Sequence, residues 1–333
     1  MLENKWDRSG VWQLIESATK NEVSYLYMGA NCPVFARKPA EDLYVFEPYI
    51  IGKDDLDQFV QENVPPSHRE ILEAHGYARL VFPMNHKTRC RLDLAKTADG
   101  LFMLAHIVTA TPPEPESIRI GRSFGDFASK DGGLYIVSSR PRSGKSTVLA
   151  SLVAEIASTR GKHIMWVSRA SEYVFRQQPA LITQIEVDLR QPLASNIDVL
   201  STLSPDVIAV DMPLDERFLD RILFAAENGS QVFLSVQSSS SVNSLYSLLS
   251  TVSAEVQKEF RYRMAQVFER AAYVELVKAN GEVFPAVEIL TCTEPVKNLL
   301  REGKYLQIAD LIPTGAKYGM QTLEKSKSDI MGK

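Results

Sequence analysis

The sequence predicts a two-part α/β protein: a small amino-terminal α+β domain, a proline-rich linker, and a larger domain in which strands and helices alternate around a phosphate-binding loop. Three observations carry this prediction. The run Thr111-Pro112-Pro113-Glu114-Pro115-Glu116 sets three prolines among six residues, and proline lacks the N–H that a helix interior or a central strand needs. Beyond it, short apolar runs alternate with stretches of helical periodicity, as in a parallel sheet with crossover connections. Within residues 134–150 an apolar strand enters a polar loop and then a helix opened by Gly144-Lys145-Ser146-Thr147, the second half of a phosphate-binding loop. The expected divisions are 1–110 for the first domain, 111–117 for the linker, 118–323 for the second domain and 324–333 for a charged, solvated tail.

Composition bounds the rest. A chain of 333 residues, 45% hydrophobic and 23% charged, can bury two or three cores. A net charge of −4 offers nucleic acid or anionic lipid no general attraction. The three cysteines, Cys32, Cys90 and Cys292, stand far apart without metal-ligand spacing, which suits reduced thiols in a cytoplasm. The amino terminus has no apolar signal region, and no run approaches the roughly 18 apolar residues of a membrane span. The expectation is a cytoplasmic protein without membrane insertion.

In order, residues 9–19 read as an amphipathic helix with Val11, Leu14 and Ile15 on one side. A strand at 23–28 is broken by Asn31-Cys32-Pro33. A strand at 46–51, a helix at 54–61 opened by paired aspartates, and a short helix after Pro65-Pro66-Ser67 running through Ala74 follow. Strands at 77–82, 88–94 and 101–109 complete the first domain.

In the second domain, 134–138 is a strand and 144–159 a helix carrying Val148, Leu149, Leu152, Val153 and Ile156 at helical spacing. Residues 163–168 form a strand and 192–203 a helix. Asp206-Val207-Ile208-Ala209-Val210-Asp211 reads as a fully buried strand ending in an acid. A helix at 215–228 closes at Gly229, a strand at 231–236 follows, and the serines 238–241 lead into another helix. An amphipathic helix and then a strand account for the rings and arginines between Phe260 and Tyr273.

The chemistry centres on the loop. Backbone N–H groups and the helix N-terminus cradle phosphates, Lys145 reaches the outer phosphates, and the Ser146 hydroxyl suits Mg²⁺. The full motif wants glycine where Ser139 stands, and Arg140, Pro141 and Arg142 stiffen and charge the loop. Ser139, Arg140, Arg142, Ser143, Gly144, Lys145, Ser146 and Thr147 are therefore the candidate nucleotide contacts. A strand-ending acid beside such a loop orders Mg²⁺ through water, a role that Asp211 fits. Met212, next to it, cannot polarise water, and such a loss is commonly worth roughly 10²–10⁴-fold in rate.

The second domain resembles the PilT-type motors of type IV pili, within the superfamily that includes type II secretion ATPases. Ser204-Pro205-Asp206-Val207-Ile208-Ala209-Val210 and Ala225-Ala226-Glu227-Asn228-Gly229-Ser230-Gln231-Val232-Phe233 are similar to its Walker B and His-box region. Pro295-Val296-Lys297-Asn298-Leu299-Leu300-Arg301-Glu302 is similar to the signature A-I-R-N-L-I-R-E. Thr314-Gly315 with Gly319-Met320-Gln321-Thr322-Leu323 is similar to T-G-x-x-x-G-M-Q-T-L. More faintly, Ser24-Tyr25-Leu26-Tyr27 stands where the family has S-D-L-H, and Arg89-Cys90-Arg91-Leu92 where it has R-x-R-V.

The resemblance implies a PAS-like α+β domain, a linker and a RecA-like P-loop NTPase domain, assembled as a hexameric ring that binds ATP or ADP with Mg²⁺. It implies a partner at an inner-membrane pilus or secretion platform. Departures fall on catalytic positions. The Asp box I-E-D-P-I-E is here Val167-Ser168-Arg169-Ala170-Ser171-Glu172, which keeps only the last acid. Ser230 and Gln237 occupy the His-box histidine positions, and Asp211-Met212 replaces G-E. The phosphate-reaching arginines are absent from residues 198–204, and Thr109 stands at the linker arginine, leaving Arg89 and Arg91 as candidates. Glu172, Asp211 and Glu227 are the remaining catalytic candidates, although acids at element ends also serve as solvated caps.

Two function classes follow: an active retraction ATPase driving pilus disassembly, or a degenerate paralogue with weak or lost hydrolysis that acts as a ring subunit or regulator, alone or in a mixed ring with an intact PilT-type protein. The pattern favours the second for catalysis and the first for cellular context. A nucleic-acid helicase could use the same core, but the acidic charge and the family signatures argue against it.

Overall fold

Alternation of apolar and polar residues builds the first of two units in the computed structural model, which describes residues 10–129, 131–175, 177, 179–187 and 202–332. The first unit comprises Met1–Thr111 with Glu172–Val174, and the second Pro112–Ser171 with Phe175–Lys333. In the first, α1 (Gly10–Lys20), β1 (Tyr25–Gly29), β2 (Cys32–Arg37), β3 (Tyr44–Ile51), α2 (Lys53–Asn63), α3 (Pro66–His75), β4 (Tyr77–Pro83), β5 (Thr88–Thr97) and β6 (Gly100–Thr109) follow one another. The sheet order is β3-β2-β1-β6-β5-β4, with every neighbouring pair antiparallel.

Leu26, Met28, Leu80, Phe82, Leu92, Leu94, Met103 and Ala105 are buried with Trp12 and Ile15 of α1, Leu56 and Phe59 of α2 and Leu72 of α3. One sheet face therefore holds this unit's core. The alternate residues Tyr25, Tyr77, Arg79, Arg91, Asp93 and His106 lie on the opposite face. Strand β2 replaces what the sequence suggested was only a break. Pro33 is accommodated where the β2–β3 register shifts, an irregularity that tolerates the missing ladder N–H.

The second unit contains α4 (Gly121–Ser129), β7 (Gly133–Ser139), α5 (Lys145–Thr159), β8 (His163–Ser168), β9 (Leu181–Glu186), β10 (Val207–Asp211), α6 (Glu216–Glu227), β11 (Gln231–Gln237), α7 (Ser241–Leu249), α8 (Gln257–Val267), β12 (Phe268–Ala279), β13 (Glu282–Thr291), α9 (Glu294–Glu302), α10 (Tyr305–Ala309) and α11 (Leu323–Met331). Its sheet runs β13-β12-β7-β11-β10-β8-β9. All pairs are parallel except the β12–β13 hairpin. Strands with both faces covered read as continuous apolar runs; Val207, Ile208, Ala209 and Val210 of β10 are all buried. Helices α4 and α9 to α11 and strands β9 and β13 add to the sequence reading, and most of the helix expected at 192–203 lies outside the described residues.

The carboxyl-terminal segment is a correction. Instead of a frayed tail, residues 323–331 form a helix whose Thr322 side chain accepts from Lys325 N. Ser326 Oγ accepts from Val287 N at 2.9 Å, and Lys327 pairs with Glu275 at 2.5 Å. Just upstream, a Cβ at Gly315 would collide with the Met320 sulfur, so the glycine and methionine of the T-G-x-x-x-G-M pattern form a packed corner.

Candidate phosphate-binding site

Strand β7 delivers the loop. Leu134 to Ser139 are buried, whereas Arg140, Pro141 and Arg142 are exposed. Ser139, at the position of the motif's first glycine, adopts no positive φ. Its hydroxyl donates to the Arg140 carbonyl at 2.6 Å, so the extra atoms are turned onto the loop itself. Arg142 does take a left-handed conformation, with φ 61°, a strain typical of functional loops. Gly144 caps α5 at φ 84°, and a Cβ there would also lie 3.1 Å from Leu276 Cδ2. Glycine is thus required twice over at the second motif position, by conformation and by space. Among the described residues neither Arg140 nor Arg142 has a carboxylate within ion-pair distance. Ser143, Gly144, Lys145, Ser146 and Thr147 follow as a partly exposed set.

The fold brings Lys145 and Asp211 together. Their Nζ and Oδ1 atoms are 3.3 Å apart. The parallel order β7-β11-β10 sets the loop after β7 and the exit of β10 on either side of β11. Ser235 of β11 joins them, accepting from Lys145 Nζ at 2.9 Å and donating to Asp211 Oδ1 at 2.5 Å. This third residue escaped the sequence reading. The signal was a hydroxyl in an apolar run, Val232-Phe233-Leu234-Ser235-Val236, whose other members are buried. Met212 turns into the core beside Asp211, 4% exposed.

Other candidates occupy different surroundings. Glu172 belongs to the first unit, where it pairs with Arg91 and, at 3.3 Å, with His106. Arg91 also binds Asp93 at 3.0 Å, and Arg79 reaches Asp93 at 2.6 Å. Burial alone would push Asp93 up, but Arg91 and Arg79 hold its carboxyl below the ordinary range. Tyr25 stacks on His106 with ring centroids 4.3 Å apart. Arg91 is therefore committed to carboxylates, while Arg89 buries its Nε with no hydrogen-bond partner among the described residues. Glu227, at the end of α6, is bound by Arg263 at 2.8 Å, and the same guanidinium reaches Asp220 at 2.6 Å. At the His-box positions, the Ser230 hydroxyl donates to the Pro205 carbonyl at 3.0 Å, and Gln237 pairs with Ser139 in the β11–β7 register.

Among the described residues no group of three or more His, Cys, Asp and Glu side chains could hold a metal ion. No described helix is long and apolar enough to cross a membrane.

No family model matches the chain. Known proteins do. The uncharacterised protein YggR of Escherichia coli K12 is 26% identical over 323 residues, covering 96% of this chain and 98% of that one. The type IV pilus retraction ATPase PilT of Pseudomonas aeruginosa PAO1 is 24% identical over 326 residues, 97% of this chain and 94% of that one. The crystal structure of the pilus retraction motor PilT with bound ADP superimposes with a TM-score of 0.75 at 22% identity, covering 95% of each chain. Over nearly its full length the chain is thus similar in sequence to a type IV pilus retraction ATPase and in fold to a PilT motor.

Proposed function

We propose that this chain binds ATP or ADP at the loop 139–147 and hydrolyses it slowly or not at all, serving as a ring subunit or regulator of a type IV pilus or type II secretion-like machine. One observation carries the reading: the acid at the end of β10 is Asp211, bound to Lys145, while the next position is a buried methionine. A carboxylate beside the lysine supports binding of a metal–phosphate group. A thioether in the core cannot take a proton from water.

The donor set fits magnesium, a hard cation that takes oxygen ligands. The Ser146 hydroxyl and, through water, the Asp211 carboxylate would hold it, and it would neutralise phosphate charge. Exposed Arg140 and Arg142 have the fork geometry for phosphate oxygens. The parallel sheet of the second unit supports a RecA-like core, and the antiparallel sheet of the first, with its helices, supports a PAS-like domain. By family, the protein acts in the cytoplasm at an inner-membrane platform, in a homohexamer or a mixed ring with an intact PilT-type paralogue, without nucleic acid.

Calorimetric titration with Mg-ADP and a phosphate-release assay test the reading. Wild type binds, Lys145→Ala does not, and turnover stays below about 1 s⁻¹, the low end of ordinary enzyme rates. Faster turnover that disappears in Lys145→Ala would instead make the chain an active retraction motor.

A further inference from the structure

We propose that Ser235 is a positioning residue of this site: it joins Asp211 and Lys145 into a self-bonded triangle that incoming phosphate must open. The inference rests on the nucleotide-binding reading and says how that site is held before phosphate arrives.

The argument begins with strand order. Because β11 lies between β7 and β10, a residue near its carboxyl end is placed to touch both the loop lysine and the strand-ending acid. Valine or alanine would be the ordinary choice in so apolar a strand, since a hydroxyl among buried neighbours is costly unless it is bonded. Ser235 is bonded on both sides. Its one proton goes to Asp211 Oδ1 at 2.5 Å, and its lone pair receives Lys145 Nζ at 2.9 Å. With the 3.3 Å contact between Lys145 and Asp211, three polar groups satisfy one another in a site where each charged side chain is only 16% exposed.

Two consequences follow. The lysine is occupied by the protein's own oxygen atoms, which stand where a phosphate's would compete. The serine also fixes one oxygen of Asp211, so the acid is oriented before any ligand enters. Phosphate carries more charge than the carboxylate and takes the lysine, but it does so against the triangle. Weakening the triangle therefore tightens nucleotide binding in the absence of metal. Ser235 acts on phosphate only through its two partners, so its effect depends on theirs.

Binding of a fluorescent ADP in EDTA, for wild type, Ser235→Ala, Asp211→Asn and the double variant, reads this out, with thermal melting to confirm folding. Ser235→Ala tightens metal-free ADP about threefold, the worth of a typical hydrogen bond. Asp211→Asn tightens it further, the double variant falls short of the sum of the two single effects, and Ser235→Thr behaves as wild type. Unchanged or weaker ADP binding in Ser235→Ala, or additivity in the double variant, overturns the proposal.

A second arm needs no nucleotide. Trace acylation followed by peptide mass spectrometry measures how accessible the Lys145 amine is. Ser235→Ala should acylate faster than wild type at Lys145 and equally at surface lysines; equal rates at Lys145 overturn the positioning role. If no variant binds ADP, the nucleotide reading falls, and the acylation rates alone decide whether Ser235 holds the pair.

Discussion

Glu172 is a carboxylate that its neighbours keep ionised. Burial alone would raise its pKa, but His106 and then Arg91 bring it down from 4.5 to about 2. A pKa depressed in the folded state contributes stability above the unfolded value, and the contribution is lost as pH falls from about 4.5 towards about 2. Glu172→Gln should therefore lower urea-unfolding stability at pH 7 by on the order of 2 kcal/mol, and the gap from wild type should narrow as acid is added. A gap that persists unchanged in acid would show that the charge is not what matters. Sequence made this residue visible only as the last acid of a depleted box. Its partner Arg91 lies 81 positions earlier, a distance over which spacing carries no information. Lys145 with Asp211 was legible because each belongs to a local pattern, a loop before a helix and an acid ending an apolar strand. Ser235 belongs to neither, and only the order of strands reveals it.

At the scale of elements, the carboxyl-terminal helix α11 is anchored in a way its composition does not suggest. Charged residues crowd residues 323–331, yet the helix is capped by Thr322 and tied to β13 through Ser326 and to β12 through Lys327. Thr322→Ala should cost about 1 kcal/mol, the usual worth of a side-chain cap, and truncation after Thr322 should cost more; urea midpoints that match wild type for both would return the segment to a frayed tail. Sequence misjudged it because the anchoring contacts are made by serine and lysine, residues that periodicity counts as solvent-facing. The largely buried strands β7, β8, β10 and β11 stood out as apolar runs. Strand β9 was missed for the opposite reason, since Thr183, Gln184 and Ile185 are only partly buried. Helix α4, with Gly121 and Gly125 inside it, has a composition that favours turns.

For the whole molecule, the two units are built on different principles: one antiparallel sheet with a single apolar face, and one mostly parallel sheet buried on both. Their cores are separate clusters of side chains. The proposed ring assembly is open to test by size. A ring subunit sediments as a hexamer, alone or with Mg-ADP, whereas a regulator remains small by itself and co-sediments with an intact PilT-type protein of the same cell. Analytical ultracentrifugation of the protein, alone and mixed, distinguishes them, and a monomer in every mixture would remove the ring from the proposal.

The buried Met212 also limits what substitution can achieve. A single change at this position could introduce a glutamate, but the side chain lies in the core with Phe218, Leu219 and Val236. An unpaired carboxylate introduced there would cost several kcal/mol unless it stayed protonated. Placing a usable acid there would thus require neighbouring residues to be rebuilt as well. The methionine works as a ratchet: with the core closed over that position, no single substitution there supplies a usable carboxylate.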